Sequence, residues 1–329
     1  MDNIAHALTG AALGQAGLKR LTGLAMPALI LSSNISDIDA IAMLMEGGLG
    51  IRRGWTHGPF ALIVLPALLA ALLLAIDRWQ MSKGKRPAGR LPVHFWTLLL
   101  LCWIGAVSHV LLDLLNTYGV RLLMPLSERW FYGDTLFIID PWLWLSLVLG
   151  YWLAHRRERS NKPNFARPAI GALLCAALYV GAMYMGGRAA ERFVVGELNA
   201  SGHGVPDAVL ASPVPANPFR RDILVKYGDT YRFGDLRLTP LPRFIMEPMT
   251  VSTNMSDPAI ARAMAENNRF AAFLYWSRYP FATIERSQCG TRVTINDGRY
   301  ARSTDSGPFS TTVRLAEDTA TPSECHNDQ

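Results

Sequence analysis

Hydrophobic positions fall into long blocks up to about residue 190 and into short alternating segments after it. Phe60–Ile76, Val93–Leu115, Ile138–Ala154 and Ala169–Gly187 are nearly uncharged runs, each close to the ~20 residues that a helix needs to cross a hydrocarbon core of about 30 Å. They predict four membrane-spanning helices. Ahead of them, Ile4–Leu18 and Leu21–Ile35 are each short for a span and are separated by Lys19-Arg20, which predicts a helical hairpin or a pair of tilted helices. Within the first segment, Gly10-Ala11-Ala12-Leu13-Gly14 has the small-x-x-x-small spacing that lets backbones approach closely in lipid.

Beyond Gly187 the long apolar runs stop and turn signals appear. Ile223–Tyr227 and Tyr231–Leu238 flank Gly228-Asp229-Thr230 and predict a hairpin, as do Arg292–Ile295 and Arg299–Arg302 around Asn296-Asp297-Gly298. Asp257-Pro258 followed by Ala-rich sequence to Trp276 predicts one N-capped helix. The pattern as a whole predicts a mainly α membrane protein. A multi-span helical bundle with an N-terminal helical hairpin occupies residues 1–189, and a small α+β domain with a polar tail after about Leu315 occupies 190–329.

Composition alone is less decisive, because 329 residues at a mean hydropathy of +0.16 and 50% hydrophobic content also suit a large soluble protein. Charge adds more. The net charge of +6 is concentrated in the loops Arg78–Arg90 and His155–Arg167, which read as cytoplasmic by the positive-inside rule. That placement explains the basic balance without a nucleic-acid partner. Alternating from these loops puts 32–57, 116–137 and everything after Gly187 on the outer face of a bacterial cytoplasmic membrane. Lys19-Arg20 falls inside, and His6 returns toward the outer face. Arg52 and Arg53 lie outside against the rule, as either a topology error or a functional pair. Met1-Asp2-Asn3-Ile4-Ala5-His6 lacks a basic n-region, so the N-terminus is expected to be retained. Cys102 and Cys175 within apolar runs read as buried hydrophobes. Cys289 and Cys325, on the oxidising side, form either a disulfide or two free thiols.

His109 and Asp113 stand four residues apart in the second apolar run, on one helix face. Ionisable residues at such positions are expensive in a bilayer and usually functional. His6, Asp37, Asp39 and His57 sit at the ends of other apolar segments. If those ends share one membrane face, the six residues form one cluster of metal-ligand composition. Taken singly, each has a plainer reading: Asp37 or Asp39 as a cap, His6 or His57 as a packing residue, His109 with Asp113 as a buried hydrogen-bonded pair. Mixed His/carboxylate ligation suits Zn²⁺, Mn²⁺ or Fe²⁺. Six candidates exceed one tetrahedral ion, so two ions bridged by a carboxylate also fit, and such a centre can activate water. Asp134 is a further candidate in a loop, and Asp140 before Pro141 reads as a helix N-cap.

At these motifs the sequence resembles the bacterial inner-membrane proteins classed as membrane-bound metal-dependent hydrolases. The resemblance is carried by Asn3–Gly10, Ser36–Asp39, Arg53–Gly58 and Ser108–Gly119, and also by Phe131–Trp142 and Pro213–Phe219. It implies hydrolase chemistry without a substrate. The order His, Asp, His, His-x-x-x-Asp is more distantly similar to part of the ligand set of bacterial zinc-dependent phospholipases C. That similarity assigns Asp37 or Asp39, His57, His109 and Asp113 to one ion, with Asp113 bridging to a second held partly by His6. No second His-x-x-x-Glu follows Asp113.

The expectation is therefore a membrane-bound hydrolase with a divalent metal, zinc foremost, acting at the outer face on a phosphoester or lipid-linked substrate and surrounded by membrane lipids. Asp37 or Asp39 would serve as base, and Arg53 or Arg52 would hold the anionic group. The alternative is a non-enzymatic assembly or sensor protein with a structural metal site. A transporter is disfavoured because the ionisable residues gather at one face, away from the midplane.

Overall fold

The structure is a computed structural model that describes residues 1–44, 48–287, 290–302 and 309–316. The predicted fold class is the one adopted: a mostly helical N-terminal region and a C-terminal region of antiparallel sheets with two short helices. Among the described residues, four helices are long and apolar enough to cross a membrane: Ala25–Leu44, Pro59–Ser82, Phe95–Leu114 and Arg167–Ala200.

The N-terminal hairpin is present. Helix α1 (Asn3–Gln15) starts on an Asp2 cap whose carboxylate accepts the Ile4 and Ala5 amides, and it turns back at Gly17 into α2 (Ala25–Ser32). Small residues make the close approach feasible. A Cβ at Gly10 would lie 2.6 Å from the Leu29 carbonyl oxygen, and one at Gly14 would lie 2.6 Å from Met26 Sδ. After α2 the chain tightens into a 3₁₀ segment, Ile35–Leu44, and together these make up the first of the four long apolar helices. Leu21–Ile35 looked short for a span because that continuation is not apparent from residue spacing.

A four-residue helix α3 (Gly48–Ile51) precedes the long helices α4 (Pro59–Ser82) and α5 (Phe95–Leu114). Leu29 of α2 packs with Leu69 and Leu73 of α4 and Leu98 and Leu101 of α5. Helix α6 (Pro141–Arg159) begins as expected, with Asp140 accepting the Trp142 and Leu143 amides and Pro141 at the first turn. The predicted span at Ile138–Ala154 falls on this 19-residue helix, whose charged last turn, His155-Arg156-Arg157-Glu158-Arg159, sets its composition apart from that of the four. Helix α7 runs without a break from Arg167 to Ala200, past Gly187 where the apolar run ends. On it Cys175 is exposed, contrary to expectation, whereas Cys102 on α5 is buried.

Two compact units emerge. One holds Met1–Asp39, Arg53–Gly186 and Pro213–Pro218; the other holds Ala40–Arg52, Gly187–Ser212 and the remainder. In the second, the C-terminal turns of α7 pack Val194 and Leu198 against Ile223, Val225 and Leu236. Its four-stranded sheet has the order β1 (Ala208–Val214), β2 (Asn217–Tyr227), β3 (Thr230–Arg237), β4 (Arg243–Ser252). The predicted hairpin at Gly228-Asp229 joins β2 to β3 with Tyr227 opposite Thr230.

Two predictions for this unit fail in detail. The single helix to Trp276 is two, α8 (Pro258–Glu266) and α9 (Asn268–Trp276). Asn267 adopts an extended conformation between them and its side chain accepts the Phe270 amide, so it caps a new helix. The second hairpin also differs: in the order β5 (Pro280–Ser287), β6 (Gly290–Asp297), β7 (Ser310–Leu315), β6 pairs with β5 and β7, and 299–302 is not a strand. Asp297 curls the chain instead. Its carbonyl accepts the Tyr300 and Ala301 amides and its carboxylate accepts the Arg299 amide. Most of the polar tail, and Cys289 and Cys325 with their candidate disulfide, lie outside the described residues.

Candidate metal centre

Four segments bring their polar residues to one place in the helical unit. Helix α1 carries His6, the 3₁₀ segment carries Asp37 and Asp39, the turn Trp55–His57 carries His57, and α5 carries His109 and Asp113. Glycines permit the approach: a Cβ at Gly105 of α5 would sit 2.9 Å from the Leu29 carbonyl oxygen. All six side chains are buried, Asp39 the least at 9% exposure.

Asp37, His57, His109 and Asp113 each offer one ligand atom, and these atoms lie within 4.8 Å of one another. His109 Nε2 is 3.2 Å from His57 Nε2, 3.7 Å from Asp113 Oδ2 and 3.9 Å from Asp37 Oδ1; His57 Nε2 is 3.2 Å from Asp113 Oδ2. This buried Asp/His/His/Asp group can bind a metal ion.

The outward-facing ring nitrogens show why. His109 Nδ1 donates to the Ser33 carbonyl at 2.8 Å, one of the carbonyls left open at the end of α2. His57 Nδ1 lies 2.9 Å from Thr56 Oγ1, and that hydroxyl donates to Asp39 Oδ2 at 2.7 Å. An oxygen thus stands at Nδ1 of each ring, which directs both Nε2 atoms into the group, beside each other and the carboxylate oxygens. An imidazole held by an oxygen behind it is the usual arrangement of a metal ligand.

Each predicted residue can now be placed. Of the pair left open in the sequence, Asp37 stands in the ligand group. Asp39 stands behind His57, 3.5 Å from its Nδ1, and accepts the Arg53 amide at 2.8 Å. His6 stacks on His109 with ring centroids 3.9 Å apart, and its Nε2 is 3.2 Å from Asp113 Oδ1, outside the group of four. Asp134 is buried in the loop after α5 and also lies outside that group.

Arg53 does not face outward to an anionic substrate. It is 3% exposed and donates to Asp113 Oδ1 and Asn116 Oδ1, both at 2.9 Å, with its guanidinium over the Tyr118 ring at 4.6 Å. The amino group of Met1 reaches the same Asp113 oxygen. Arg52 belongs to the other compact unit. Sequence reasoning passed over Thr56, Asn116 and Ser33. The first two lie inside the motifs quoted for the family resemblance, which is the signal that could have found them; Ser33 acts through its backbone and carries none.

The segments that build the centre lie within one recognisable family region, because the YdjM inner membrane protein family matches residues 1–190. The chain belongs to that family. An uncharacterized protein of Bacillus subtilis, YfhP, is 28% identical over 166 residues, and the match covers 47% of each chain. The chain therefore spans about half the length of that relative. No solved structure matches it. Membership of the YdjM family and the four long apolar helices establish a membrane protein.

Proposed function

We propose that this YdjM-family protein is a metal-dependent hydrolase of the bacterial cytoplasmic membrane. Its centre faces the outer side and acts on a phosphoester or lipid-linked substrate. The observation that carries the reading is the pair of imidazole Nε2 atoms 3.2 Å apart, each ring held from behind, with Asp37 and Asp113 completing the group. Two histidines and two carboxylates suit zinc, with manganese or iron as the other candidates. In such a donor set a divalent ion supplies Lewis acidity and activates water.

The chain's own residues divide the remaining work. His57, His109, Asp37 and Asp113 hold the ion. Asp39, through Thr56, keeps His57 in the ligating tautomer, and the Ser33 carbonyl does the same for His109. Arg53 offsets the charge of Asp113, a use of its guanidinium different from the substrate-holding role that the sequence suggested. His6 packs on His109 and keeps its ring in place. The similarity to zinc-dependent phospholipases C supports phosphoester chemistry through the ligand order alone.

Elemental analysis of detergent-purified full-length protein, with turnover assays on phospholipid and phosphoester panels, tests this reading. The expected result is stoichiometric divalent metal and chelator-sensitive hydrolysis. Metal without turnover on any panel favours a structural site in an assembly or sensor protein. Orientation has its own test: a reporter active only outside the cytoplasm, fused after Leu236, is expected to be active, and a silent fusion reverses the topology.

A further inference from the structure

We propose that the centre holds a single divalent ion and that Arg53 takes the place on Asp113 that a second, bridged ion would need. The proposal rests on the metal-site reading above and adds its stoichiometry. The two oxygens of Asp113 face different surroundings. Oδ2 points to His57 Nε2 at 3.2 Å and His109 Nε2 at 3.7 Å, within the ligand group. Oδ1 receives Arg53 Nη2 at 2.9 Å. In a dinuclear centre a bridging carboxylate gives one oxygen to each ion, and here the second oxygen is already bound to a permanent cation.

Both terminal nitrogens of that guanidinium are bound. Arg53 Nη1 donates to Asn116 Oδ1 at 2.9 Å and approaches the Gly119 carbonyl at 3.4 Å, and Nη2 approaches the Met1 carbonyl at 3.4 Å. Its plane lies over Tyr118. Its own amide is bound by Asp39 Oδ2, and its carbonyl accepts the Arg121 amide at 2.9 Å. The backbone at Arg53 has φ +53°, a left-handed conformation that non-glycine residues adopt rarely and that the surrounding bonds must hold. A side chain fixed this firmly does not leave to admit an ion.

Charge favours the same count. Asp113 Oδ1 already meets the Arg53 guanidinium and the Met1 amino group, so a second divalent ion at that oxygen would add two positive charges beside groups that are themselves cationic. In a buried site such crowding of like charge is strongly disfavoured. His6, the residue assigned to a second ion by sequence similarity, has Nε2 toward the oxygen that Arg53 holds, and its Nδ1 has no hydrogen-bond partner among the described residues.

The test is titration of metal-depleted full-length protein in detergent with Mn²⁺, read as bound equivalents and by electron paramagnetic resonance. Saturation at one equivalent with the uncoupled six-line signal is expected. Two tight equivalents or an exchange-coupled signal overturn the proposal while leaving the metal-site reading standing, and no bound metal at all removes both. Arg53→Ala takes the guanidinium off that oxygen, leaving His6 and the Met1 amino group beside it, and is expected to raise saturation from one equivalent to two, whereas Arg53→Lys stays at one. A folded Arg53→Ala protein that still saturates at one removes the role given to Arg53. If that variant does not fold, the wild-type stoichiometry and spectrum decide the proposal alone.

Discussion

Asp113 in the helical unit and Asp297 in the sheet unit are both fully enclosed carboxylates with an arginine on one side, yet their other neighbours differ. Asp297 is surrounded by donors: the Arg278 amide at 2.9 Å, the Ser277 hydroxyl, and the amide, Nε and Nη2 of Arg299. Burial pushes its pKa up, but the Arg299 guanidinium and these hydrogen bonds outweigh it and hold the carboxyl below the usual carboxylate range. That cluster is complete. Around Asp113 the arginine and the Met1 amino group serve Oδ1, and Oδ2 lies beside the Nε2 atoms of His57 and His109. The first arrangement fixes a turn; the second gathers metal-ligand atoms. The two carboxylates are alike in burial, so what separates a structural cluster from a candidate site is the pair of imidazoles and the second carboxylate, Asp37, that stand on the side Arg53 leaves open.

The contrast can be broken most directly at the ligands. His109→Ala is expected to abolish stoichiometric metal while leaving membrane insertion intact, since the span becomes more apolar. Asp113→Asn keeps the size of the side chain and removes its charge, and is also expected to lose metal. Metal analysis of both variants in membrane extracts checks this, and full retention in both would place the Asp113 cluster in the same structural class as Asp297.

The reverse substitution is next in size. Asp297→Ala strands a buried guanidinium and is expected to destabilise the sheet unit by about 3–5 kcal/mol with metal content unchanged, measured as hydrogen exchange of the β6 amides in the full chain. The same measurement against pH gives the sign of the Asp297 contribution. A carboxyl whose folded pKa is depressed stabilises the fold above its unfolded value of about 3.9, and that stability disappears as pH falls through the lower folded value. The wild-type β6 should therefore open more easily as acid is added below about pH 4, and the Asp297→Ala protein should lack this component.

Asp39→Asn is the smallest and sharpest. If Asp39 only steadies the Thr56–His57 contact, metal affinity falls by roughly 10–100-fold and the metal remains bindable at high concentration. Complete loss would move Asp39 into the ligand group. Isothermal titration on the depleted protein separates the two outcomes.

These comparisons also show how much the sequence could reveal. His109 and Asp113 were legible because a helix repeats every 3.6 residues and their spacing needs no tertiary knowledge. The choice between Asp37 and Asp39 was not, since both stand in a tight 3₁₀ segment where neighbouring carboxylates diverge and only packing against His57 separates them. Arg53 was visible as a charge near the motif, but its direction was not. The break at Asn267 and the turn at Asp297 were misread for one reason. Asn and Asp side chains bond to nearby main-chain amides, and that local competition overrides an Ala-rich helix pattern or an alternating strand pattern.

The bond from His109 to the Ser33 carbonyl has a consequence for genetics. Because Ser33 contributes its main chain, replacing its side chain by alanine leaves the acceptor in place, and a side-chain scan would score the position as silent. The informative lesion lies one residue later. Proline at Asn34 disfavours the helical backbone conformation of the residue before it and removes the Asn34 amide bond to Leu31. It would swing the carbonyl off the imidazole without altering any residue that touches the centre through a side chain, so this contact would be found by main-chain lesions and missed by truncation.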